Sequence, residues 1–368
     1  MRGFIGGLIL GLVIGVMLAV AGSQTNTLVN GKKEAKGPEV EKDMGTSGSP
    51  VDWRLSGVAP DYTAFSTNAR RVAARITGLT GASVKMSYHA SGSLENSLEL
   101  FNAVSLGTIE AVFSRTGNWG NKSRGFDFLA GLPFGPPGDE FLAWYHQGNG
   151  KALVSALFRR HNIQGILCGL SGAAPDGLFT APVNSLNDFR NKSIAATGLS
   201  ALVLSRAGAQ VTTKTWREMV PSLRDGNLFG AIFSGPLILD QNILKTSAKH
   251  LYFPGWSQQV SSYYLMIHLR NWNGLSKIAQ TRIKAACYEN IVHTFTHSEG
   301  THFKRLKKMV NEGAEVHEWP PETIASLEAI WAQESRRLSR YDRDFGRFWS
   351  SLKSFRRDFK IWKELGYL

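Results

Sequence analysis

Hydrophobic and polar positions alternate in two rhythms along this chain, and the same succession of rhythms occurs twice. LELFNAVSLGTIEAVFS, ending at Ser114, and MVPSLRDGNLFGAIFSG, ending at Gly235, each run from an amphipathic segment to a glycine and then into a short apolar run. Apolar residues spaced by three and four mark a helix face, and a short apolar run bounded by turn residues marks a buried strand. Glycine between them, Gly107 or Gly226, is the residue that ends a helix by taking a left-handed conformation. Each unit therefore predicts helix, tight turn and buried strand.

The flanking pattern extends both units. DWRLSGVAP reads as a strand, Tyr62 to Leu79 as a helix, SVKMSYHASGSL as a strand, and the first unit completes β-α-β-α-β. LPFGPPGDEFLAWYHQGNG is a turn-rich stretch and a helix, followed by a helix to His161 and the strand IQGILCGL. Asn184 to Arg190 opens a second half in which KSIAAT, Ser200 to Ala207, AQVTT, Trp216 to Arg224 and the second unit repeat the order of the first. Alternating strands and helices predict parallel sheets covered by helices. Two such halves predict an α/β protein of two lobes with a ligand cleft at the carboxyl ends of the strands. From YFPGW the chain returns through SSYYLMIHL and is then read as nearly all helix to Leu368. One long amphipathic stretch carries Trp331, Phe345, Phe348, Trp349, Phe355, Phe359 and Trp362 at three- and four-residue steps. Burial on the chain's own lobes or against a partner subunit would cover that stripe.

Composition narrows the class. A length of 368 residues with 43% apolar content supports two ordinary domains. The uninterrupted apolar run from Phe4 to Ala21, with Ala19 and Ala21 before Gly22, predicts an export signal over residues 1–22, cleaved or kept as an anchor. Residues 23–50 read as a flexible tether. The net charge of +13 arises from 42 basic and 29 acidic groups, much of it on helical segments such as HFKRLKK and ESRRLSRYDR. Solvated helix faces explain these runs, and no nucleic-acid partner is expected in an exported chain without a recognisable DNA or RNA module. Cys168 and Cys287 have apolar neighbours that point to two buried thiols, with a disulfide as the open alternative. His293 and His297 lie four apart on a helix with His302 beyond, but no HExxH pattern accompanies them and an exposed face is the better reading. No G-x-S-x-G, P-loop or acid/base pair appears, so neither catalytic residues nor a cofactor are expected.

LFNAVSLGTIEA, the LPFG turn with Trp144, SLNDFRNKSI, SLRDGNLFGAIFSGP, YFPGW and FRRDFKIWKELGY stand in the order and spacing of a known family. Over Trp53 to Tyr367 the chain resembles the DctP-type solute-binding proteins of tripartite ATP-independent periplasmic (TRAP) transporters, above all the branch that binds 2-oxo acids and other monocarboxylates. The resemblance implies a type II periplasmic-binding-protein fold with hinge strands and long C-terminal helices, a periplasmic location, delivery of a small organic solute to the transporter's membrane subunits, and a homodimer through exchanged terminal helices. It places lobe I at 51–170, lobe II at 171–256, and the return to lobe I with the hinge helix and C-terminal helices at 257–368.

The departures from that pattern define the expected site. The family's carboxylate-gripping arginine is replaced by Ala195, and a bidentate guanidinium contact is one that lysine or alanine cannot reproduce. The family's Glu-Trp pair reads Ile232-Phe233, its Gln is Ala174 and its second Glu is Gln258, which removes the oxygen ligands a hard cation needs. No metal is therefore expected there, and the pocket should prefer a less polar solute. Ligand contacts are expected from Tyr62, Arg115, Trp119, Ala195, Phe233, Ser234, Trp256 and Gln258. Arg115 would supply the missing cation from the opposite lobe or else sit on the surface, and Trp119 is either a pocket wall or core. A relative that has left uptake for a sensory or scaffolding role is the alternative function.

Overall fold

The structure is a computed structural model that describes residues 49–59, 61, 63–214, 216–232 and 246–366. The expected export signal and nearly all of the tether, like Tyr62, Phe233 and Ser234, lie outside the described residues.

The first sheet is built by β1 (Val51–Gly57), helix α1 (Ala64–Leu79), β2 (Val84–His89), α2 (Leu100–Leu106) and β3 (Ala111–Ser114). All three strands are parallel, with β1 between β2 and β3. Helices α3 (Arg124–Ala130), α4 (Gly138–Gln147) and α5 (Gly150–Arg159) follow, and β4 (Ile163–Ser171) is buried at all nine positions. The chain then crosses through residues 172–177 into a second sheet. There it makes β5 (Leu178–Phe179), β6 (Ser193–Ala195), α6 (Gly198–Arg206), β7 (Gln210–Thr212), α7 (Trp216–Arg224), β8 (Gly230–Ala231) and β9 (His250–Phe253).

Residues 254–260 lead back to the first sheet, where β10 (Ser261–His268) inserts antiparallel between β3 and β4. A short helix α8 (Leu269–Asn273) and the 35-residue α9 (Lys277–Asn311) return the chain to the second sheet, whose edge strand β11 (Glu315–Glu318) pairs parallel with β9. The orders are β2-β1-β3-β10-β4 and β11-β9-β5-β8-β6-β7. Two α/β sheets joined by paired crossings and a long helix are the architecture read from the sequence.

Both predicted stop glycines take the left-handed conformation, Gly107 at φ +81° and Gly226 at φ +76°, and strands follow each. Three local readings change. The polar stretch EVHE is strand rather than helix, because β9 offers it an open edge. The long C-terminal stretch is two helices, α10 (Pro321–Tyr341) and α11 (Arg343–Gly366). Asp342 breaks it with extended backbone, and its carboxylate accepts the Phe345 N–H at 2.8 Å as a cap. The two cysteines are also not thiols: Cys168 on β4 and Cys287 on α9 are joined as a disulfide. Their apolar neighbours are the packed face between α9 and β4, which brings the two sulfurs together across 119 residues.

The aromatic stripe is covered mainly from within the chain. Helix α10 packs on α6, and α11 packs on α3, α4 and α5. Trp331, Phe345, Phe348 and Leu352 are fully buried there, and the Trp331 ring meets Phe345 at 6.1 Å and Trp349 at 5.7 Å. The large hydrophobics left open are Tyr341 at the end of α10 and Ile361, Trp362 and Leu365 in the last turns of α11.

Candidate functional site

The two short crossings meet, and a single carboxylate ties them. Asp176, on the first crossing, accepts the backbone N–H groups of Trp256 and Ser257 on the second, each at 2.7 Å, and the Ser257 hydroxyl as well. The Asp176 N–H donates to the Tyr252 carbonyl at 2.8 Å, which fixes the crossing to the end of β9. Helix α9 holds the start of the same crossing: the Gly172 N–H donates to Ser298 Oγ at 2.8 Å and the Ala173 N–H to Glu299 Oε1 at 3.2 Å. Asp176 is 1% exposed. Burial pushes its carboxyl up to about 6 because the ionised form loses its hydration, and the Ser257 and Trp256 donors offset only part of that loss.

The second crossing also grips the first sheet's side. The Trp256 carbonyl accepts the Phe134 N–H at 2.7 Å and the two rings lie 5.9 Å apart. Arg356 of α11 reaches the same turn, donating to the Phe134 carbonyl at 2.8 Å and pairing with Glu140 at 2.9 Å. YFPGW and LPFG, two of the markers in the sequence, are therefore the two faces of one contact.

Arg115 follows directly from β3 and turns inward. Its guanidinium donates to the Ala130 carbonyl at 3.2 Å and to Gln258 Oε1 at 3.4 Å. Burial lowers the proton affinity of the guanidinium, and Tyr263 beside it acts in the opposite sense. The hydroxyl of Tyr263 is pushed up by its own burial while the Arg115 charge pulls it down. Gly131 makes this approach possible, since a Cβ there would lie 2.4 Å from Gln258 Oε1. Alongside, Gly131, Gln259, Val260 and Ser262 border a small, mostly apolar recess against Phe128 and Leu352, with a volume of about 20 Å³.

Of the expected contacts, the structure thus brings together Arg115, Trp256 and Gln258 where the crossings meet the end of β3. Arg115 is a half-buried hydrogen-bond donor rather than a fully exposed arginine. Trp119 belongs to the core of the first lobe: it is 2% exposed and its ring packs at a tilt against Phe101 at 5.1 Å. Ala195 ends β6 with 1% exposure, packed with Met219, Leu223 and Ala231. Its carbonyl accepts the Ile232 N–H at 2.8 Å, so β6 and β8 end side by side. His293 and His297 stack on an exposed face of α9, and His302 caps the Ala173 carbonyl at 3.0 Å. Asp176 was missed by sequence reasoning: APDG reads as an ordinary turn, and its partners lie 80 and 81 residues away.

Residues 55–339 match the model of the DctP family, bacterial extracellular solute-binding protein family 7. A monocarboxylate 2-oxoacid-binding periplasmic protein of Nostoc sp. is 24% identical over 318 residues, covering 86% of this chain and 87% of its own. The structure is similar to a TRAP transporter solute-binding protein of Bordetella bronchiseptica, described as a dimer of mixed occupancy with copurified calcium and picolinate. The TM-score is 0.81 at 25% identity, over 86% of this chain and 95% of that one. It is also similar to a TRAP periplasmic solute-binding protein of Colwellia psychrerythraea with bound calcium and pyruvate, with a TM-score of 0.82 at 19% identity over 86% and 97% of the chains. Among the described residues no helix is long and apolar enough to cross a membrane.

Proposed function

The chain belongs to the DctP family of extracellular solute-binding proteins, and from that premise we propose that it captures a small organic acid, or a less polar relative of one, between its two lobes. It hands that solute to the membrane subunits of a TRAP transporter from the periplasm. The observation that carries this reading is the hinge: two crossings bound to each other through Asp176, with Arg115 and Gln258 where they meet the end of β3. Closure of two lobes around such a hinge works by population shift, because a ligand that touches both lobes stabilises only the closed form.

Ala195 and Ile232 stand where relatives of the 2-oxo acid branch are expected to carry an arginine and a glutamate, so these two buried positions supply neither a guanidinium clamp nor a carboxylate. Arg115 is the cation left to meet a carboxylate. A ligand panel of pyruvate, longer 2-oxo acids, pyroglutamate, malonate, picolinate and neutral analogues, read by thermal shift and calorimetry, tests this. A rise in unfolding temperature with micromolar binding of at least one member supports it, and a flat response to the whole panel counts against uptake. The second reading, a relative serving as sensor or scaffold at the membrane, is favoured by the same replacements at Ala195 and Ile232. The Cys168–Cys287 bond suits an oxidising compartment outside the cytoplasm. The open residues Ile361, Trp362 and Leu365 at the end of α11 suit a homodimer contact.

A further inference from the structure

We propose that His250, Glu315 and His317 form a binding site for one divalent transition cation of the zinc class, clipping the edge strand β11 to β9. This inference does not rest on the ligand reading above. In the parallel pairing His250 lies opposite Glu315 and Tyr252 opposite His317. Side chains two apart on a strand share a face, so the three candidate ligands converge from adjacent strands onto one side of the sheet.

The distances fit a metal. His250 Nδ1 and His317 Nε2 are 2.9 Å apart, and Glu315 Oε2 lies 3.3 Å from the first and 3.6 Å from the second. Ligands about 2.0–2.1 Å from a tetrahedral zinc ion stand about 3.3 Å from one another, so the three atoms already trace one face of such a tetrahedron. A hydrogen-bonded arrangement explains the triangle less well. One shared proton can join the two nitrogens, but it leaves two ring atoms and a carboxylate oxygen crowded around the same point. A cation at that point satisfies all three at once. Imidazole and carboxylate together select zinc-class ions over calcium or magnesium, which prefer oxygen alone.

The rings are also held in place. His317 stacks on Tyr252 at 5.0 Å and 20°, and the Tyr252 hydroxyl is fixed by the Val183 N–H at 2.6 Å. The side chain of His250 is 13% exposed and that of His317 28%, while that of Glu315, at 59%, leaves the fourth position open to water. The set has no short sequence motif, because Glu315 and His317 lie 65 and 67 positions beyond His250 on a different strand.

The test uses the full, tag-free chain, stripped with chelator and titrated with ZnCl₂ at pH 7.5 by calorimetry and thermal shift. One equivalent should bind with a micromolar or tighter Kd, and the unfolding temperature should rise by about 4 °C at a free concentration a hundredfold above Kd. His317→Gln should weaken binding at least a hundredfold, and Glu315→Gln about tenfold or more. The second of these replaces a largely exposed side chain and keeps the test valid should the first not fold. His293→Gln/His297→Gln, which removes the exposed pair on α9, should leave the single equivalent unchanged. Absence of binding at 100 µM free zinc, or binding that survives Glu315→Gln and His317→Gln but is lost in the α9 variant, would overturn the assignment.

Discussion

Replacing Asp176 with Asn probes the knot between the crossings, and its effect should depend on pH in a defined sense. In the folded chain the Asp176 carboxyl is pushed up to about 6 by burial, against an ordinary value of 3.8. The folded state therefore holds this proton more tightly than the unfolded chain does. The group's contribution to stability is complete below about pH 3.8, and it is lost as pH rises to about 6, because the unfolded chain ionises first. A difference of roughly two units at 1.36 kcal/mol each puts the loss at about 3 kcal/mol. Asparagine carries no titrating proton, so subtracting the variant from the wild type isolates this group from every other carboxyl. Urea unfolding of both proteins at pH 4 and pH 7 should show the wild-type advantage shrinking by about 2.4 kcal/mol across that interval, the rest having been lost below pH 4, where the unfolded carboxyl starts to ionise. A constant difference, or one that grows with pH, would refute the reasoning: it would mean that the three donors from Trp256 and Ser257 outweigh desolvation and hold the carboxylate ionised.

Two further outcomes follow from the same geometry. Removing the disulfide with Cys168→Ala/Cys287→Ala frees a 119-residue loop, for which the chain-entropy relation gives about 5 kcal/mol as an upper figure and 2–5 as the usual range. Calorimetry should record an unfolding temperature about 3–7 °C lower, and an unchanged temperature would show that the bond contributes nothing. Gly131→Ala places a methyl group 2.4 Å from Gln258 Oε1. It should cost about 1–3 kcal/mol through overpacking and weaken solute binding by displacing the Gln258 and Arg115 pair, whereas a variant with wild-type stability and affinity would show that this approach is slack.

The two halves were legible because their signals are local. A glycine after an amphipathic run, as at Gly107 and Gly226, carries its conformational reason in its own chemistry, and the β3 strand is announced by an unbroken AVFS. Arg115 could be placed at a strand end for the same reason, although nothing local told whether it faced solvent or the interior. The remaining parts are set by distant partners. Strand β5 is two residues long and β11 is a polar four-residue edge; β5 is a strand because β8 and β9 flank it, and β11 because β9 stands beside it. Asp176 looks like a turn residue until the second crossing is folded against it. Trp119 shows the converse, an aromatic whose sequence position suits a pocket wall and whose surroundings, Phe101 and Phe126, make it core.

The interleaving of the strands has a consequence for how the body can be assembled. The first sheet lacks its link between β3 and β4 until β10 is present, and β10 comes after every strand of the second sheet except β11. A nascent chain shorter than about residue 268 thus has no completed half to lock prematurely. Late closure keeps the earlier portion pliable, and the halves are completed nearly together once the end arrives. The same weave means that one proteolytic nick in either short crossing would not release a half, because α9 and the α10–α11 corner still span the two.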